Sequence, residues 1–194
     1  MKKAIYIFIF FISQFFFGQL SNQLWKGYFS YNEIVDVESG SNAVFASTQN
    51  ALFSQAVSSS NLNIYNSITG LKPDIISTIH HSDAFNKTFV GNNNGLILIQ
   101  NADGSVTTKV DVIEEVPVPP NKKKINDFYE FNGRLYIATD YGISVINLAT
   151  SEFISTYFIG TSGEETEVLQ TTVFNNEIYA VTRSFGIRKA NLNN

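Results

Sequence analysis

FVGNNNGLI at Phe89–Ile97 and YIATDYGIS at Tyr136–Ser144 align without a gap, and FASTQNALF at Phe45–Phe53 aligns with both. YAVTRSFGI at Tyr179–Ile187 joins them with one extra turn residue. In each copy an aromatic opens a strand-like run, a small or polar stretch closes it, and a glycine precedes a returning apolar residue. Only the first copy departs, with Ala51 where glycine is expected. The aromatics Phe45, Phe89, Tyr136 and Tyr179 stand 44, 47 and 43 positions apart. That spacing falls in the range of about 40–50 residues per four-stranded propeller blade. A sandwich would not repeat so evenly.

Outward from these copies the chain keeps the same character. Ile125–Phe131, Arg134–Thr139 and Ile143–Leu148 are apolar and β-branched runs of strand length. Asn132-Gly133, Asp103-Gly104, Ser162-Gly163 and Asn175-Asn176 supply residues that tolerate positive φ at hairpin corners. Helices are hard to find in the mature sequence. Before each copy lies a further strand: Ile34-Val35-Asp36-Val37, Ile76-Ser77-Thr78-Ile79, Ile125-Asn126-Asp127-Phe128 and Leu169-Gln170-Thr171-Thr172. These read as the innermost strand of each blade. One twisted sheet cannot bury both apolar faces alone, so blades stack face to face around an axis.

The expected fold is therefore all-β, a β-propeller with about four four-stranded blades in residues 19–194, part of a larger, seven-bladed ring. Val168–Asn194 offers only three strands. Either Leu24–Ser30, with Trp25, Tyr28 and Phe29, closes the last blade, or the chain is the front part of a longer propeller. An open last blade would leave an apolar face and an unpaired edge.

Composition narrows the function. The 194 residues contain no cysteine, which excludes a disulfide framework, a thiolate metal site and a cysteine nucleophile. With 13 basic against 17 acidic residues the net charge is −4, and no basic face for nucleic acid is expected. Lys2 and Lys3 precede an apolar run from Ala4 to Phe17 that ends at Gly18, so residues 1–18 read as a secretory signal peptide. The run is shorter than the ~20 apolar residues of a membrane span. The expected product is exported through the inner membrane to the periplasm or the outer-membrane cell surface, with no transmembrane segment after cleavage.

The words WKGYFSYNEIVDV from Trp25, NALF from Asn50, KKKINDFYEFNGRLYIATDYGISVINL from Lys122 and EFISTYFIG from Glu152 resemble the N-terminal β-propeller family of PorZ, a type IX secretion component. The resemblance covers Trp25 to about Ala190. It implies a surface protein whose full-length relatives continue through further blades, a second propeller and a sorting domain, so that a chain ending at Asn194 reads as a truncated member. It also implies a non-enzymatic role in the attachment complex, helping to deliver anionic lipopolysaccharide to the sortase PorU for anchoring of secreted cargo. The alternative is the extracytoplasmic ligand-sensing propeller of a two-component signalling protein.

Individual residues add little chemistry. Adjacent His80 and His81 in an extended segment point to opposite sides and do not share one ion, so no metal is expected. Asp36, Asp74 and Asp127 recur near inner strands lining the channel, where they are candidates to bind a ligand or cation; the simpler reading is that they cap turns or hydrogen-bond backbone amides. Lys122, Lys123 and Lys124 follow Pro117, Pro119 and Pro120 and are the candidate contacts for an anionic polysaccharide; the simpler reading is a solvated loop. No nucleophile elbow, phosphate loop or metalloprotease histidine pair is present, and neither catalysis nor a cofactor is expected.

Overall fold

The computed structural model describes residues 31–192 apart from Pro117. The signal-peptide reading of residues 1–18, and the strand expected at Leu24–Ser30, lie outside the described residues. Strands alternate with short turns in four consecutive antiparallel sheets. Blade 1 holds β1 (Ile34–Ser39), β2 (Ala43–Thr48), β3 (Leu52–Ala56) and β4 (Leu62–Tyr65). Blade 2 holds β5 (Ile76–Ser82), β6 (Lys87–Asn92), β7 (Ile97–Gln100) and β8 (Val106–Lys109). Blade 3 holds β9 (Ile125–Phe131), β10 (Arg134–Thr139), β11 (Gly142–Asn147) and β12 (Phe153–Tyr157). Blade 4 has three strands among the described residues, β13 (Val168–Phe174), β14 (Glu177–Thr182) and β15 (Gly186–Asn191). The architecture is a partial β-propeller.

Three cores join the blades in succession. Phe45 and Leu52 of blade 1 pack on Ile79, Val90 and Leu98 of blade 2. Phe89, Ile97 and Ile99 meet Phe128, Leu135 and Ile137 of blade 3. Tyr136, Ile143 and Val145 meet Val168 and Ala180 of blade 4. Alternation along each strand therefore serves two interfaces, one per face. Among the described residues the outermost faces have no such neighbour: Val37 and Val44 of blade 1 are 59% and 47% exposed, and Phe174 and Ile187 of blade 4 are 64% and 72% exposed.

The turn after the second strand is fixed by its polar residue. The Asn92 amide donates to the Leu96 carbonyl at 2.9 Å, the Thr139 hydroxyl to that of Gly142 at 3.0 Å, and the Thr182 hydroxyl to that of Gly186 at 2.8 Å. Gly95 and Gly186 adopt φ of 89° and 66°. Ala51, the expected exception, is absent from the positive-φ residues and fully buried, so its side chain is accommodated there. The small residue two positions after the aromatic also has its reason: a Cβ on Gly91 would stand 2.7 Å from the Ile125 Cγ2 of the next blade. Ser47 and Ala138 fill this place in blades 1 and 3, while blade 4 carries Val181, 40% exposed.

Two expectations need correction. Every innermost strand carries a bulge after its first residue, at Val35, Ser77, Asn126 and Leu169. Pairing then aligns Val168-Leu169-Gln170-Thr171 with the other three, one residue earlier than the gapless reading that began at Leu169. The doubled residue of a bulge hides the register from a period-two pattern. Between β8 and β9 the described residues also form a one-turn helix, α1 (Asp111–Glu114), and a 3-10 turn at Pro120–Lys122. Four residues are too few to show a 3.6 periodicity; tertiary packing holds them through Val112 and the following Val118, 0% and 5% exposed.

Candidate functional site

The first strands β1, β5, β9 and β13 stand side by side as the axial wall. They carry Asp36, Glu38, Asp127 and Glu130 but no lysine or arginine. The two aspartates occupy the same repeat position, directly after the bulge. Asp36 accepts the Thr78 hydroxyl at 2.8 Å and the Ile79 N–H at 2.9 Å from the next blade, and the Val37 N–H at 2.8 Å. Asp127 likewise accepts the N–H groups of Thr171 and Phe128. The bulged residues complete the stitching: the Ser77 hydroxyl donates to the Ile125 carbonyl at 2.6 Å, and the Asn126 amide to that of Val168 at 2.9 Å. The aspartates thus bond backbone amides across blades. Asp74 lies in the bend before β5, outside the inner strand itself.

Burial pushes the Asp127 carboxyl up to about 6; its backbone hydrogen bonds and His80 pull it down, and the Asp36 charge pushes it further up. An acid raised above its unfolded value near 3.9 favours the fold fully below that value and loses this contribution as pH rises through about 6. Asp127→Asn, which keeps an acceptor without the charge, is expected to unfold at higher urea than the wild type at pH 7.5. At pH 4 the two midpoints are expected to coincide, and an equal gap at both values would contradict this assignment.

The two histidines part as the sequence indicates. His80 turns to the wall, Nδ1 lying 3.1 Å from Glu38 Oε1 of β1 and Nε2 lying 3.2 Å from Glu130 Oε2 of β9. His81 turns away, stacking on Phe45 with centroids 4.0 Å apart and its Nδ1 3.0 Å from Thr88 Oγ1. No group of three or more His, Asp or Glu residues fit to hold a metal occurs among the described residues.

The lysine run does not form one cationic face. Lys122 pairs with Glu165 at 2.9 Å. Lys123 is 3% exposed and donates to the Glu115 carbonyl. Lys124 is exposed, while its carbonyl accepts the Asp140 N–H at 3.1 Å. Glu115 and Glu165 flank the run in space from distant positions, a relation that the sequence does not display. Also unmarked by any motif is a cleft of about 650 Å³ that runs from β9 of blade 3 onto the exposed face of blade 4, lined by Asp127, Tyr129, Thr172, Phe174, Tyr179 and Val181 among others.

The family model described as TSS9, PorZ, N-terminal beta-propeller domain matches residues 44–194. No curated protein matches the chain. Among solved structures, PorZ of Porphyromonas gingivalis, an essential bacterial surface component of the type-IX secretion system, is similar with 19% identity and a TM-score of 0.72, over 88% of this chain and 22% of that one. The extracellular domain of the hybrid two-component system BT3049 from B. thetaiotaomicron is similar with 18% identity and a TM-score of 0.64, over 84% of this chain and 21% of that one. The computationally designed Ika4 protein is similar with 12% identity and a TM-score of 0.62, over 86% of this chain and 94% of that one. The chain thus spans about a fifth of the two natural structures, and at these identities the likeness is one of fold.

Proposed function

From the premise that this chain belongs to the PorZ N-terminal β-propeller family of the type IX secretion system, we propose that it works outside the inner membrane as a non-enzymatic module of the attachment complex, helping to deliver anionic lipopolysaccharide to the sortase PorU. The family match over residues 44–194 carries this reading. Among the described residues no helix is long and apolar enough to cross a membrane. The axial wall, with four carboxylates and no lysine or arginine, repels an anionic glycan. The glycan contact is therefore assigned to the exposed Lys122 and Lys124, beside the wall rather than on it.

The test measures retention of the chain on beads coated with anionic lipopolysaccharide across a salt series, alongside capture of the sortase. Salt-sensitive retention is expected, weakened several-fold in Lys122→Gln/Lys124→Gln, because exposed charge pairs are screened by salt. Both replaced side chains are exposed, so stability should change by no more than about 0.5 kcal/mol. Unchanged retention of the variant removes the lysines from the contact. No retention of the wild type overturns glycan delivery, and failure to capture the sortase overturns the partner.

A further inference from the structure

Both ring nitrogens of His80 face carboxylate oxygens, and the two acceptors belong to different blades: Glu38 on β1 at 3.1 Å and Glu130 on β9 at 3.2 Å. A neutral imidazole carries one N–H and one lone pair, so it can donate to only one of them and would present its lone pair to the other. Only the imidazolium, with two N–H groups, satisfies both. The His80 side chain is 14% exposed, so water reaches its ring nitrogens poorly when a partner is lost. We propose that His80 is a proton-operated clamp on the axial wall: charged, it holds the inner strands of blades 1, 2 and 3 together, and on losing its proton it releases one of the two glutamates.

The surrounding charges support this. From β1 the facing acid is Glu38, while Asp36 on the same strand is occupied by Thr78 and Ile79. From β9 come Glu130 and, at longer range, Asp127. On β6 the residue opposite His80 is the uncharged Phe89, and Lys87 is turned away to the Leu148 carbonyl. On its own strand His81 is neutralised in the other direction, burial holding its pKa below the ordinary value. Burial pulls the His80 pKa down as well, but its hydrogen bonds to Glu38 and Glu130 outweigh this and leave it above 6.5. A raised histidine favours the fold fully below the unfolded value and loses that contribution as pH rises through the folded one. The clamp therefore opens towards alkaline pH.

The test uses the whole chain. Nitrogen-15 spectra of the wild type at pH 6.5 are expected to show both His80 ring nitrogens protonated, and a single-tautomer neutral pattern would overturn the proposal directly. Between the unfolded value near 6.5 and the raised pKa of His80 in the fold, the folding equilibrium constant should fall by up to tenfold per pH unit, the limit for one proton, and level off above that pKa. His80→Gln, which offers one amide donor group and no titration, should lose that part of the slope while remaining folded. Hydrogen exchange of β1 and β9 amides should rise between pH 6.5 and 8.5 in the wild type beyond the intrinsic rate, and not in the variant. An identical pH slope in both proteins would sink the clamp.

Discussion

Phe89→Ala is expected to lower the free energy of unfolding by about 3–5 kcal/mol. Phe89 is 0% exposed at the junction of blades 2 and 3, its ring centroid 6.4 Å from that of Phe128. Neighbours on both sides come from sheets that are themselves held by further sheets, so the void cannot collapse easily. The same truncation should cost less along the series Tyr136, Phe45 and Tyr179. Tyr136 and Phe45 are 3% and 7% exposed, and Tyr179 lies on the outer face of blade 4 with no blade against it among the described residues. Urea unfolding of the four variants checks the order. A loss below about 1 kcal/mol at Phe89 would mean that blades 2 and 3 are not tightly packed.

Gly142→Ala is expected to cost about 1–3 kcal/mol or more through overpacking. A Cβ there would run into the carbonyl oxygen of Tyr157 on β12, a backbone atom fixed by the ladder that pairs Ile143 with Tyr157. The neighbour cannot swing aside as a flexible side chain would. Gly133→Ala supplies the comparison, because nothing lies within 4 Å of its added Cβ and only its φ of 71° opposes the change. Thermal melts of the two variants should separate them, Gly142→Ala lower. Equal melting temperatures would show that β12 yields.

Much of this architecture was legible from residue order. Aromatic, small, polar and glycine positions recur because each answers to a fixed place in a blade, so the strands at Ile125–Phe131 and Arg134–Thr139 fall where alternation places them. The inner-strand register of blade 4 was not legible, since a bulge inserts a residue that no periodicity announces. Nor was the burial of Lys123: a lysine in a charged run reads as solvated, and only the fold brings the Glu115 carbonyl to its ammonium. The acids of the wall were visible as residues, but the bridging of Glu38 and Glu130 by His80 joins positions from three blades. Adjacency of that kind is written in topology, not in spacing.

The stitching of the axial wall sets how the chain comes apart. The side-chain bonds between its inner strands span one repeat and no more, 42 and 43 residues from Asp36, 48 from Ser77 and 42 from Asn126. Thermodynamically such a chain behaves as a short one-dimensional lattice, each unit coupled to its neighbours and blind to the rest. Within the described residues blades 2 and 3 are the two that pack on both faces, so among the four described blades they form the last cooperative unit to dissolve. The same locality lets earlier blades zip together while later ones are still emerging, so the order of synthesis and the order of assembly coincide.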